Sequence, residues 1–283
     1  MAANQLKEQL GVERFDTIIV ASGTNFADAL AGSYLAADRK APILLYQDSA
    51  MTKVVNYIVG SLSEDGVVYL LGGSAAVPEK LAEALLEAGI RVDRLSGKTR
   101  FDTNLAILSE VGVQSGDEVL VATGYNFADS LSASATGKPI LLVNSKTGKL
   151  TMAQKNYLSR LGDPKLTILG GTGAVSEKLA KALGDYGEVT RLSGKSRYET
   201  SVLIAETYFE QVSGVVLAYG KNFPDGLSGG PVAYVQGAPL ILTAPGAEAA
   251  ARKYASEQRL ETAYIMGGTG ALREETVYEV FSK

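Results

Sequence analysis

Three asparagines, three aspartates and two clusters of cations carry most of the side-chain chemistry this sequence offers. GTNFADAL starts at Gly23, GYNFADSL at Gly124 and GKNFPDGL at Gly220. Asn25 and Asp28, Asn126 and Asp129, and Asn222 and Asp225 therefore recur at one spacing. An amide and a carboxylate three residues apart can hydrogen-bond sugar hydroxyls. At the mouth of a helix the same pair can instead cap it, with Asn as N-cap and Asp near N3, where an acid also suits the helix dipole. The cations lie in RLSGKTR and RLSGKSR, which hold Arg94, Lys98 and Arg100, then Arg191, Lys195 and Arg197. A guanidinium presents a planar fork to phosphate or carboxylate. The same arginines could pair with the Asp28-type carboxylates where one repeat meets the next.

A third marker follows the same step: LGGSAAVPEKL from Leu71, LGGTGAVSEKL from Leu169 and MGGTGALREET from Met266. Gly-rich turns before helices can cradle phosphate. These lack both the GKS or GKT of a Walker loop and the GxGxxG of a dinucleotide site. The simpler expectation is a tight turn whose glycines take positive φ. Other chemistries have no residues to run on. The chain holds no Cys, His or Trp, so zinc–thiolate sites and Ser-His-Asp or Cys-His catalysis lack their groups. No metal site and no cofactor is expected.

A period of about a hundred residues is too long for a solenoid unit and has the size of a small domain. We divide the chain into repeats 1–95, 96–192 and 193–283. Repeat 3 reads most completely. Thr200–Val212 has helical apolar spacing, Gly214–Gly220 is an apolar strand, and a small-residue helix starts at NFPDG. Pro239–Thr243 is a second strand, Glu248–Gln258 a helix, TAYIMGG a third strand and Glu274–Phe281 a helix. Helices alternating with continuously apolar strands imply an α/β fold with mostly parallel sheets covered on both faces. The strands Ile43–Leu45, Ile140–Leu142 and Leu240–Leu242 read as core. RVDRL and EVTRL add a fourth strand to the first two copies. Repeat 1 lacks the RLSGKxR leader; ERFDT at Glu13 imitates it but falls in the helix–strand loop, so we read it as accidental.

The balance of residues suits a globular protein: 46% hydrophobic, 20% charged, net charge −4. That balance argues against nucleic acid as partner. No apolar run is long enough to span a bilayer. MAANQLKEQLG has neither the basic nor the apolar region of a signal peptide. The expectation is a cytoplasmic protein, or a mature or trimmed piece of a larger one.

RLSGxxR[FY][ED]T, GxNFxD, the P-[IL]-[LI]-L strand and GG[ST][AG]A[VL] together resemble the cell wall binding repeat 2 family of Gram-positive surface proteins, over essentially the whole chain. The resemblance implies three small Toprim-like domains packed with pseudo-threefold symmetry. It implies a secreted, wall-located, non-catalytic module that binds an anionic secondary cell-wall polysaccharide non-covalently, and that can be fused to an effector domain. The binding residues would be the Asn, Asp, Arg and Lys named above, at the seams between repeats. The seam between repeats 3 and 1, without a leader, should be the weakest. Two other readings stand beside this one. A Toprim-type magnesium-dependent phosphoryl-transfer enzyme would need a DxD pair, and the sequence has none. A structural spacer would show no affinity for wall polymer. Pro224 in place of Ala27 and Ala128, and PLIL in place of PILL, are local departures in repeat 3.

Overall fold

The computed structural model describes residues 2–282. Its first repeat runs α1 (Ala2–Leu10), β1 (Phe15–Ser22), α2 (Phe26–Asp38), β2 (Ile43–Tyr46), α3 (Met51–Ser61), β3 (Leu62–Leu71), α4 (Glu79–Glu87) and β4 (Arg91–Leu95). The second repeats that order as α5 (Arg100–Val111), β5 (Glu118–Thr123), α6 (Ala128–Ala133), β6 (Ile140–Val143), α7 (Met152–Leu161), β7 (Lys165–Leu169), α8 (Glu177–Leu183) and β8 (Val189–Leu192). The third has α9 (Arg197–Tyr208), β9 (Gly214–Tyr219), α10 (Pro224–Val235), β10 (Leu240–Thr243), α11 (Ala249–Glu257), β11 (Thr262–Met266) and α12 (Glu274–Phe281).

Each repeat builds its own sheet, ordered β2-β1-β3-β4, β6-β5-β7-β8 and β10-β9-β11. Every pairing is parallel. Parallel strands need crossovers, and the helices supply them while covering both faces. Among the described residues β11 is an edge, where β3 and β7 are each covered by one more strand. Phe15–Thr17 of ERFDT lie in β1, so that segment is no leader.

Two sequence expectations shift. The helix read at Thr200–Val212 runs from Arg197 to Tyr208. The Ser196 side chain accepts the Glu199 N–H and sets the start, and Phe209 turns extended to end it. The strands read as core are buried at Ile140–Leu142 and Leu240–Leu242, but Leu44 and Leu45 are only half-buried. α5 packs on β6 and α9 on β10. α1 has nine residues against twelve in each of those helices, and it leaves this part of β2 uncovered.

The repeats join in a cycle. α5 packs on α2 of repeat 1, α9 on α6 of repeat 2, and α1 on α10 of repeat 3. The small-residue helices α2, α6 and α10 form the centre, with α10 against both others. Small side chains allow this approach: a Cβ on Gly226 or Gly230 would run into Leu131 or Ser134 of repeat 2.

Candidate functional site

The carboxyl ends of β1, β5 and β9 carry the three GxNFxD loops, and the cyclic packing brings those loops to one place. Phe26 meets Phe127 and Phe223 edge to face at centroid distances of 5.9 and 5.8 Å, and Phe127 and Phe223 meet tilted at 6.0 Å. Such separations suit favourable aromatic pairs. The near-equal distances mark the pseudo-threefold axis. All three rings stay partly accessible, and Asn25, Asn126 and Asn222 beside them are exposed.

The expected Asn cap forms at Asn25, the N-cap of α2, whereas α6 and α10 start one residue later, at Phe127 and Phe223 as N-caps without a side-chain bond. Asn25 Oδ1 accepts from Ala27 N and Asn126 Oδ1 from Ala128 N, both at 3.2 Å. Asn222 Oδ1 accepts from its neighbour Phe223 N. The reciprocal bond is not made at Asn25, whose N–H goes to Ser22 Oγ. The aspartates turn instead toward the Gly-rich turn of their own repeat. Gly72, Gly170 and Gly267 have φ of +95°, +90° and +111°. A Cβ on any of them would collide with the carboxylate of Asp28, Asp129 or Asp225 respectively. The two markers that recur together in sequence therefore touch in space. Burial raises the pKa of all three aspartates above the usual carboxylate value. Arg100 opposes that rise at Asp28, as Arg197 does at Asp129; no cation does so at Asp225.

The leader cations divide into three kinds. Arg94 donates to the Gly72 and Val77 carbonyls at 2.9 Å and reaches Glu79. Arg191 repeats this on Gly170, Val175 and Glu177. These two brace the Gly-rich turns. Arg100 Nη1 donates to the Gly124 carbonyl at 2.6 Å and Arg197 Nη1 to Gly220 at 2.7 Å. Their guanidiniums lie over rings: Arg100 is 5.9 Å from Phe26 and 5.3 Å from Tyr125, and Arg197 is 5.4 Å from Phe127. Each therefore spans a seam, hydrogen-bonded to its own repeat and stacked on the preceding one. The expected Arg–Asp pairing reduces to a longer-range attraction: among the described residues neither guanidinium forms an ion pair, and one Nη of each is held by a backbone carbonyl. Lys98 and Lys195 are exposed and make no ion pair among the described residues. The rest of the leader is scaffold: Thr103 Oγ1 takes the Gly97 N–H, Thr200 Oγ1 takes that of Gly194, and Thr99 with Asp102 forms a capping box.

The Cell wall binding domain 2 (CWB2) family matches this sequence three times, at residues 1–82, 94–180 and 191–277. The chain belongs to this family. As a CWB2 protein it is a cell wall binding module of three tandem repeats. It is 26% identical to the N-acetylmuramoyl-L-alanine amidase LytC of Bacillus subtilis over 261 residues, 90% of this chain and 51% of that protein. It is 27% identical to the Amidase enhancer of the same organism over 266 residues, 92% of this chain and 36% of that protein. The CWB2 chain thus spans about half or less of the curated relatives it matches. Its fold is shared with Cwp6 from Clostridium difficile, at TM-score 0.85 and 23% identity over all of this chain and 46% of that one. Cwp8 from the same organism gives TM-score 0.83 and 24% identity, covering 99% of this chain and 50% of that one.

Tyr125 and Lys146 also belong to this CWB2 face and were not singled out by sequence. Lys146 Nζ stands 4.2 Å from the Tyr125 ring centroid, the ring that Arg100 also contacts. The signal available was the change from Thr24 to Tyr125 to Lys221 inside an otherwise constant marker.

Proposed function

We propose that this chain holds a protein on the cell wall non-covalently by binding an anionic secondary wall polysaccharide, without catalysing a reaction. The observation that carries this reading is the placement of Arg100 and Arg197. Each guanidinium is fixed by one carbonyl and laid over aromatic rings at the convergence of the three GxNFxD loops. Fixed guanidiniums above rings suit an anionic sugar, which offers both a charge and an apolar face. Asn25, Asn126 and Asn222 add amides for hydroxyls, and Lys98, Lys195 and Lys146 extend the positive rim. Asp28, Asp129 and Asp225 lie beneath and shape the loops. Arg94 and Arg191 act through the Gly-rich turns that those aspartates touch.

The expected three separate seam sites become one face with three unequal contributions. A repeating polymer can engage all of them, each later contact being effectively intramolecular. Because the chain spans only part of its amidase-related relatives, we assign any enzymatic activity to another region of a longer polypeptide, delivered to the wall after secretion.

The test is a pull-down on walls with and without their secondary polymer. Arg100→Ala with Arg197→Ala should lower retention at least tenfold, since each lost charge-assisted contact contributes about 1.5–3 kcal/mol. Retention should also weaken as salt rises. Retention unchanged in the double variant, or equal on stripped walls, overturns the reading.

A further inference from the structure

The three repeats differ in charge. Repeat 2 holds eleven Lys and Arg against nine Asp and Glu, whereas repeat 1 holds eight against twelve and repeat 3 eight against ten. A basic repeat inside an acidic chain is where an anionic polymer is drawn first. Part of that excess gathers where β5 and β6 end. Parallel pairing sets Thr123 beside Val143, and the Gly124 N–H donates to the Val143 carbonyl at 3.0 Å. The loops that leave the two strands are then tied together. The Thr123 and Ser145 hydroxyls lie 2.7 Å apart, the Tyr125 N–H donates to Thr123 Oγ1, and Asn144 Oδ1 takes the Thr147 N–H. Lys146 sits between Ser145 and Thr147 and is placed with them.

Two cations share the Tyr125 ring. Lys146 Nζ stands 4.2 Å from its centroid and the Arg100 guanidinium 5.3 Å, while Arg100 Nη1 is held by the Gly124 carbonyl. Neither cation forms an ion pair among the described residues. An aromatic face orders a cation without cancelling its charge, as a carboxylate would. The matching positions of the other repeats are built differently. Repeat 1 has Thr24 for Tyr125, Asp48 for Ser145 and Ser49 for Lys146, and Asp48 is engaged by Lys80 and the Tyr46 hydroxyl. Repeat 3 has Lys221, Pro245 and Gly246, and the Gly246 N–H donates to the Glu248 carboxylate. An acid thus stands near the place where repeat 2 carries its lysine.

We propose that Tyr125, Lys146 and Arg100 form the specificity-determining subsite of the common face, and that it takes one acidic sugar unit of the wall polymer, whose anionic group meets both cations. The proposal rests on the polymer reading above and sharpens it: repeat 2 selects the charged unit, and the loops of repeats 1 and 3 hold its neighbours. Arg100 keeps fork donors beyond Nη1, and Lys146 turns on a flexible stem, so the pair can close on one compact oxyanion. The Tyr125 ring holds both charges ready for it, which lowers the ordering cost of binding.

The probe is isolated secondary wall polymer titrated into the whole protein. Lys146→Ala, a change at an exposed position, should weaken binding about five- to tenfold, and Lys146→Arg less than about twofold. Tyr125→Thr, which installs the residue of repeat 1, should weaken it about threefold, and Tyr125→Phe should bind as the wild type does. Lys221→Ala removes the same charge from the matching loop of repeat 3 and should weaken it less than about twofold. Lys181→Ala, in the last turn of α8, should change nothing. Bound polymer should also shield Lys146 from amine acylation and leave Lys181 reactive. With the polymer reading intact, the proposal fails if the wild type binds but Lys146→Ala binds equally, if Lys221→Ala costs as much as Lys146→Ala, or if Lys146 is as reactive in the complex as in the free protein. A wild-type protein that does not bind the polymer would overturn the polymer reading itself, and this proposal with it.

Discussion

The two seams flanking repeat 2 and the seam between repeats 3 and 1 are built from the same strand ends, yet they differ in what lies between them. At the first two, a helix start brings an arginine, an aromatic ring and a capping residue into the joint. At the third, α1 supplies Ala2 and Ala3 and leaves a cavity. The leader is therefore a wedge between repeats as well as the binding motif proposed above. It covers the β2-type strand, sets a cation near the aspartate that opposes its raised pKa, and fixes a guanidinium on the common face. The bare seam shows each of these jobs undone: Leu44 and Leu45 half-buried, Asp225 without a cation, Phe223 without a guanidinium above it among the described residues.

The largest effect should come from truncating matched core leucines. Leu44 and Leu141 hold the same register against Val20 and Val121. Leu141 is fully buried and Leu44 is not. Leu141→Ala should cost about 2–5 kcal/mol in denaturant unfolding, and Leu44→Ala less than half of that. Equal losses would mean that the leader adds no cover.

Next come the bracing arginines. Arg94→Ala or Arg191→Ala strands two carbonyls that now share one guanidinium, and should lower unfolding free energy by about 1–3 kcal/mol. The matching turn of repeat 3 has no such brace among the described residues, so Glu274→Ala should change stability by no more than about 0.5 kcal/mol. A large loss at Glu274 would reveal a partner for it that Arg94 and Arg191 do not imply.

The sheets were legible in sequence because their strands are unbroken apolar runs between glycines, and the third copy of a marker confirms the reading of the first. The roles of the leader were harder to read. RLSGKxR looks like a cluster of ligand-seeking cations, but Arg94 and Arg191 bond backbone carbonyls, and carbonyls leave no trace in residue identity. Asp28 and Gly72 show the same limit: their contact comes from parallel strands ending at one edge, far apart in the chain. The Phe cluster needed one further fact, that three copies close into a ring. A period gives the number of copies, not which faces meet.

On the common face, Phe127→Ala and Phe223→Ala should separate the two seam types by binding. Both remove one ring of the same cluster, but only Phe127 carries a guanidinium above it, that of Arg197. A cation–π contact at a partly exposed site contributes about 0.5–1 kcal/mol. Phe127→Ala should therefore weaken polymer binding two- to fivefold more than Phe223→Ala. Equal losses would make the rings a passive floor.

The smallest effect, and the one with a sign to check, concerns the aspartates. Burial raises the pKa of Asp225 with no opposing charge, whereas at Asp28 the Arg100 guanidinium and Thr103 work against burial. A carboxyl whose folded pKa lies above its unfolded one keeps protons that the unfolded chain has lost. Stability then falls as pH rises through that window, and the cost is fully present at neutral pH. Asp225→Asn keeps the shape beside Gly267 and removes the charge, so it should raise Tm at pH 7 by no more than about 2 °C, since Asp225 is only half-buried. That advantage should shrink as pH falls and wild-type Asp225 takes up its proton. Asp28→Asn removes the counter-charge of Arg100 as well as a buried carboxylate, so its gain should be smaller or reversed. Thermal scans of both variants from pH 4 to pH 8 measure the difference. Identical curves would show that the leader arginine does nothing for the carboxylate it faces, and the two kinds of seam would then differ only in packing.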